Sequence, residues 1–102
     1  MNIWIGNGRL TADPEIRHTT SGAAVTNFSI AVEGKVWKDK DGQLCKDTQF
    51  INCEAWNGTG EFVSKHFCKG DPIEIRGSIR NNDWEDQEGN KRRSTFIRVD
   101  LS

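Results

Sequence analysis

Trp37, Phe50, Trp56 and Trp84 are the side chains with which this sequence could do chemistry, because each is a large ring at a position that alternation assigns to water. The run Thr48-Gln49-Phe50-Ile51-Asn52-Cys53-Glu54-Ala55-Trp56 shows the pattern. A strand sends successive side chains to opposite faces, so Ile51, Cys53 and Ala55 make a core face. Phe50 and Trp56 then share the other face with an amide and a carboxylate. Burying a ring would gain about 1.5–3 kcal/mol, so a ring kept on the wet face is one that something flat can cover. Nucleic-acid bases are flat, and each base stacked on such a ring is worth roughly 1–3 kcal/mol with little sequence preference.

Cations accompany the rings. Lys35 and Lys38 flank Trp37, Arg76 and Arg80 share a face with Trp84, and Arg9 and Arg92 add charge on the first and last strands. Such groups neutralise phosphates as a strand passes over the rings. A single strand suits the arrangement because its bases can splay, whereas a duplex hides their faces inside the stack.

The elements that must carry these residues follow from the same alternation. A first strand, about Asn2 to Thr11, is thinned by Gly6 and Gly8. Gly6-Asn7-Gly8 lacks the third glycine and the following helix of a dinucleotide fingerprint. Trp4, between Ile3 and Ile5, reads as a core or subunit-interface residue. Asp13-Pro14 and Thr19-Thr20-Ser21-Gly22 punctuate a connection, and a second strand runs from about Ala24 to Lys35. Its face Phe28, Ile30, Val32 is apolar; Asn27, Ser29, Ala31, Glu33 and Lys35 face the other way, and the same parity carried forward reaches Trp37. Lys38-Asp39-Lys40-Asp41-Gly42-Gln43 is a hairpin tip, without the remaining ligands of a calcium loop.

After the third strand, the spacing of Phe62, Val63, His66 and Phe67 predicts a short helix over about Glu61 to Cys68, stopped at Lys69-Gly70. His66 has no partner placed by the sequence for nucleophilic work. In the fourth strand Ile73, Ile75, Gly77 and Ile79 face inward, and Glu74, Arg76, Ser78, Arg80, Asn82 and Trp84 outward. Asp86 to Asn90 turns the chain, and the last strand has Thr95, Ile97, Val99 and Leu101 inward, with Arg92, Ser94, Phe96, Arg98 and Asp100 outward. The order predicts an all-β domain: a five-stranded OB-fold Greek-key barrel with one short helix between strands three and four. At 102 residues this is a single domain, residues 1–102.

Composition narrows the class without choosing it. Fourteen basic residues stand against fifteen acidic, a net charge of −1, so any attraction for phosphate must come from where the cations sit. No apolar run is long enough to span a bilayer, and no basic lead precedes an export segment. Three cysteines, 8 and 15 residues apart, form neither a disulfide framework nor a zinc site. They read as free thiols in a reducing cytoplasm. Asp83, Glu85, Asp86 and Glu88 crowd a turn, where solvated carboxylates are common, rather than forming a metal-dependent nuclease site.

Several segments also carry a family resemblance. Gly8-Arg9-Leu10-Thr11-Ala12-Asp13-Pro14-Glu15-Ile16-Arg17, Ser21 through Val32, Thr48-Gln49-Phe50, Lys69-Gly70-Asp71, Arg76-Gly77-Ser78-Ile79-Arg80 and Trp84-Glu85-Asp86-Gln87-Glu88-Gly89 resemble bacterial and phage single-stranded DNA-binding proteins. The resemblance implies an OB-fold that sequesters single-stranded DNA in replication, recombination and repair, without catalysis, metal or cofactor. Family aromatics that stack on DNA fall at Trp37, Phe50, Trp56 and Trp84. The family further implies a homotetramer, or a dimer, with the first strand in the dimer contact, and a cytoplasmic location. Family chains continue through a flexible linker to an acidic tip that recruits other proteins; this sequence stops at Leu101-Ser102, so tail-mediated partners are not expected. Two other classes share the residue pattern: an OB-fold assembly module whose rings bind protein, and a small nuclease on the same scaffold.

Overall fold

Period-two alternation builds most of the molecule. The computed structural model describes residues 1–101, and the expected inward placement of Leu101 concerns a side chain outside that description. Six strands and one helix follow in order: β1 (Trp4–Leu10), β2 (Glu15–His18), β3 (Ala24–Lys38), β4 (Leu44–Trp56), α1 (Asn57–His66), β5 (Pro72–Glu85) and β6 (Lys91–Leu101). β1 pairs antiparallel with β5 and, through Arg9 and Leu10, with β3. β3 pairs with β4, β4 runs parallel to β6 over Cys53–Ala55, and β6 returns antiparallel to β5. The circuit β1-β3-β4-β6-β5-β1 closes a five-stranded barrel with α1 between β4 and β5, the OB-fold arrangement.

The strand count is six, not five. β2 pairs with β3 through Glu15↔Asn27 to His18↔Ala24, at the sheet edge. All four of its side chains are exposed, so Glu-Ile-Arg-His shows no alternation, and backbone pairing alone makes it a strand. α1 starts four residues earlier than expected and ends two earlier. Asn57 enters it at φ +50°, a left-handed conformation asparagine tolerates, and its Oδ1 accepts the Ala24 amide at 3.1 Å. Gly60 lets α1 settle on the barrel: a Cβ there would strike the Ala55 carbonyl oxygen, and the buried Thr26 hydroxyl donates to the Gly60 carbonyl at 2.8 Å.

Leu10, Phe28, Ile30, Cys53, Ala55, Val63, Ile73, Ile75, Ile97 and Val99 fill the barrel, with Trp4, Val32, Ile51 and Phe67 packed against them. Trp4 is partly buried and packs against this core, its ring lying over Gly6, where a Cβ would collide with it. Gly77 likewise leaves room for the Arg98 carbonyl oxygen.

Two expected core positions are outside. Ile79 is 46% exposed and Thr95 is exposed. Pairing of β5 with β1 ends at Gly77, and beyond Ile79↔Ile97 the β5–β6 ladder continues past the barrel as a two-stranded arm, with Ile79 already at its exposed base. There Asn2 brackets Ile79 instead, donating to its carbonyl and accepting its amide at 2.9 Å each. Phe62, expected on the buried stripe of the helix, is also exposed; Val63 makes the contact.

Candidate nucleic-acid interface

The outer surface of the barrel can be read row by row, because residues paired across a ladder share a face. On β4 the residues Phe50, Asn52, Glu54 and Trp56 point outward, opposite Ala31, Ser29, Asn27 and Val25 of β3. Arg9 of β1 pairs with Ala31, so it shares the face of Phe50. On the arm, Ser78, Arg80, Asn82 and Trp84 of β5 lie opposite Arg98, Phe96, Ser94 and Arg92 of β6. Between the β3–β4 face and the arm runs an open groove of about 650 Å³, with β2 along one side. Asn27, Ser29, Asn52, Asn81, Asn82 and Ser94 make its lining rich in groups that both donate and accept hydrogen bonds.

None of the four predicted rings lines this groove. Phe50 is 70% exposed and Trp84 45%. Trp56 is half-buried at the junction of β4 and α1, with the Arg98 guanidinium 5.5 Å from its ring centroid. Arg98 also lies 3.9 Å from a Glu54 carboxylate oxygen. Trp37 is 50% exposed, but the parity that placed it on the face of Phe50 fails. Between Glu33↔Thr48 and Val36↔Lys46, β3 has two residues, Gly34 and Lys35, where β4 has only Asp47. This bulge inverts the alternation, so Val36 and Lys38 continue the outer face and Trp37, opposite Cys45, lies on the other side of the ribbon. The ribbon there has left the barrel, which is why the ring stays accessible.

Both arms end in one and the same device. Trp37-Lys38-Asp39-Lys40-Asp41-Gly42-Gln43 and Trp84-Glu85-Asp86-Gln87-Glu88-Gly89-Asn90 match at the tryptophan, the first aspartate, a second acid, the glycine and a final amide. In each, the aspartate Oδ1 accepts two backbone amides at 2.9–3.0 Å, Asp41 and Gln43 in one tip, Glu88 and Asn90 in the other. Gly42 and Gly89 take φ of +78° and +80°. Each tip holds its tryptophan two residues before the aspartate. Those amides, Asn90 first, keep the Asp86 carboxyl below its ordinary range, with Arg92 adding to the effect.

The predicted cations divide. Arg80 alone of them lines the groove. Lys35 sits in the bulge and Lys38 beyond it, both exposed. The Arg9 guanidinium donates to the Gly70 carbonyl at 2.9 Å, and Arg92 pairs with Asp86 at 3.0 Å. Arg76 keeps the parity of Arg80 but lies four residues away, about 13 Å along the strand, opposite Ile5 of β1 and outside the groove. Sequence reasoning passed over Arg17, Phe96 and Arg98, all of which line it. Arg17 belongs to the strand that alternation could not reveal, and Phe96 and Arg98 stood at outward parity without being given a role. Of the acids at the second tip, Asp83 pairs with Arg93 at 2.7 Å, and Asp86 holds the turn and pairs with Arg92.

The cysteines are free thiols. Burial pushes the Cys53 thiol up to about 12. The exposed Cys68 thiol donates to Asp71, whose charge raises it further. Among the described residues, no helix is long and apolar enough to cross a membrane.

Known proteins match this chain along its length. The model for the Single-strand binding protein family matches residues 1–101. A Deinococcus radiodurans protein named single-stranded DNA-binding protein is 41% identical over 97 residues, covering 95% of this chain and 32% of its own length. Proteins of the same name from Mycobacterium leprae and Clostridium perfringens are 36% and 37% identical, covering 91% and 98% of this chain. This chain spans 56% and 63% of those two relatives, so it corresponds to a third to under two thirds of the curated relatives it matches.

Proposed function

This chain belongs to the single-strand binding protein family, and from that premise we propose that it binds and protects single-stranded DNA with little sequence preference, during replication, recombination and repair in the cytoplasm. Bases stack on Phe50, Trp56, Trp84 and Trp37, and Lys35, Lys38, Arg9, Arg76, Arg80 and Arg92 meet the phosphates. The observation that carries the reading is the exposure of Phe50 and Trp84 on either side of a hydrogen-bonding groove. Rings kept in water at that cost are explained by a ligand with many flat faces. The net charge of −1 makes stacking, rather than a general basic field, the main source of affinity. Arg9 and Arg92 reach phosphate by exchanging their present exposed partners, the Gly70 carbonyl and Asp86.

The reading extends to assembly. Between Trp4 and Gly8, β1 has one ladder partner, β5, because pairing with β3 begins at Arg9. Ile3 and Ile5 are exposed beside that open edge. An open apolar edge invites a second strand, so a homotetramer, or a dimer, forms through β1.

Titration with oligo(dT), followed by tryptophan emission at several salt concentrations, tests the proposal. Strong quenching is expected, with log affinity falling against log salt at about −0.7 per phosphate neutralised. Absence of quenching would favour an assembly module that binds protein, and cleavage of the oligomer with magnesium would favour a nuclease.

A further inference from the structure

We propose that Phe96 is a fifth base-stacking ring, seated in a nucleotide subsite within the groove that separates Phe50 and Trp56 from Trp84. The inference rests on single-stranded DNA being the ligand and adds a contact that the outer rings do not provide. Phe96 lines the groove and is half-buried, so part of its side chain is accessible there. Across the ladder it faces Arg80, and two residues on stands Arg98, both groove residues. The parallel register Cys53↔Ile97 sets Asn52 of β4 beside it.

Apart from Ala12 and the core side chains Phe28 and Cys53 at its floor, this lining is asparagine, serine, threonine and charge, so the accessible phenyl ring of Phe96 is out of place in it. What unites the set is one kind of guest. The ring offers a face for a base, the Asn52 amide can donate to and accept from a base edge, and the Arg80 guanidinium can hold a phosphate. The groove also holds Asp13 and Glu15, before and on β2 beside Arg17, and Glu54 on β4, whose carboxylate lies 3.9 Å from Arg98. Those carboxylates repel phosphate, so the backbone of a bound strand runs on the Arg80 side and its base turns inward over Phe96. The volume of about 650 Å³ is within the range of sites that enclose small organic ligands. Trp84 lies opposite Arg92, four residues from Phe96 and so about 13 Å along the strand. A strand running from Trp56 to Trp84 crosses that gap, and Phe96 is the ring that lies in it.

The test uses the whole chain with all four outer rings intact. Phe96→Ala is expected to weaken oligo(dT) binding roughly 5- to 150-fold, the effect of one lost stacked base, with the thermal midpoint read alongside. Phe96→Trp is expected to keep the affinity and to add emission that oligo(dT) quenches. Unchanged affinity in folded Phe96→Ala, or added emission in Phe96→Trp that saturating oligo(dT) leaves unquenched, would overturn the subsite. If Phe96→Ala fails to fold, the Phe96→Trp quench decides alone. If the unsubstituted chain does not bind oligo(dT), the premise falls and the subsite with it; if it binds and the Phe96 variants behave identically, only the subsite falls.

Discussion

Phe50 and Trp56 point to the same side of β4 six residues apart, yet replacing each by alanine should separate affinity from stability in different ways. Phe50 is 70% exposed, so its truncation removes little buried area, and the unfolding free energy should change by no more than about 0.5 kcal/mol. If a base stacks on it, binding of oligo(dT) should weaken by roughly 1–3 kcal/mol, about five- to a hundredfold or slightly more. Trp56 is half-buried, packs at the junction of β4 and α1, and carries Arg98 over its ring. A fully buried tryptophan costs roughly 3–5 kcal/mol on truncation, and half of that is about 2. The Arg98 contact adds about 0.5–1 kcal/mol. Trp56→Ala should therefore destabilise by roughly 2–3 kcal/mol as well as weaken binding. Urea unfolding and fluorescence titration on the same samples give both quantities. The reasoning is refuted if Phe50→Ala leaves affinity unchanged, or if it unfolds the domain as readily as Trp56→Ala.

Three further outcomes follow from particular contacts. Thr26→Val keeps shape but strands the Gly60 carbonyl that the buried hydroxyl now satisfies, and should cost about 1–3 kcal/mol in urea unfolding. The Asp86 carboxyl is held below its ordinary value of 3.8, so its contribution is full above that range and fades as pH falls through it toward the lowered value. The protection of the Glu88 and Asn90 amides, measured as the exchange rate relative to the intrinsic rate at the same pH, should accordingly fall in acid, and in Asp86→Ala at neutral pH. Cys53, buried with its thiol pushed up to about 12, should resist aromatic disulfide reagents until the chain unfolds, while Cys68 should react faster in Asp71→Asn.

The barrel was legible because its strands are half-buried. Where one face meets the core, as at Ile51, Cys53 and Ala55 or Ile73 and Ile75, alternation names both the strand and the side. It failed wherever that contrast disappears. β2 is exposed on all four residues and shows no pattern, and Ile79 and Thr95 keep a core-like rhythm on an arm that has left the core. Trp37 shows a different limit. A single extra residue at Gly34-Lys35 reverses every side chain beyond it, and parity cannot see a bulge. The exposure of Phe50 and Trp84 was legible from ring type and parity. The groove was not, since it is made by five segments spread along the chain, and Arg17, Phe96 and Arg98 acquire meaning only once β2, β3, β4, β5 and β6 are brought together. The shared tip motif was written openly in the sequence, as Trp-x-Asp-x-acid-Gly-amide twice, but only the matched hydrogen bonds show it to be one structural device.

The central claim is that bases lie on particular rings, and the four tryptophans carry their own control. In a spectrum of the indole N–H resonances, added oligo(dT) should move the signals of Trp37, Trp56 and Trp84 while Trp4, packed on the core over Gly6, stays in place. Three stationary signals under saturating oligo(dT), or a Trp4 signal that shifts as far as the others, would contradict it.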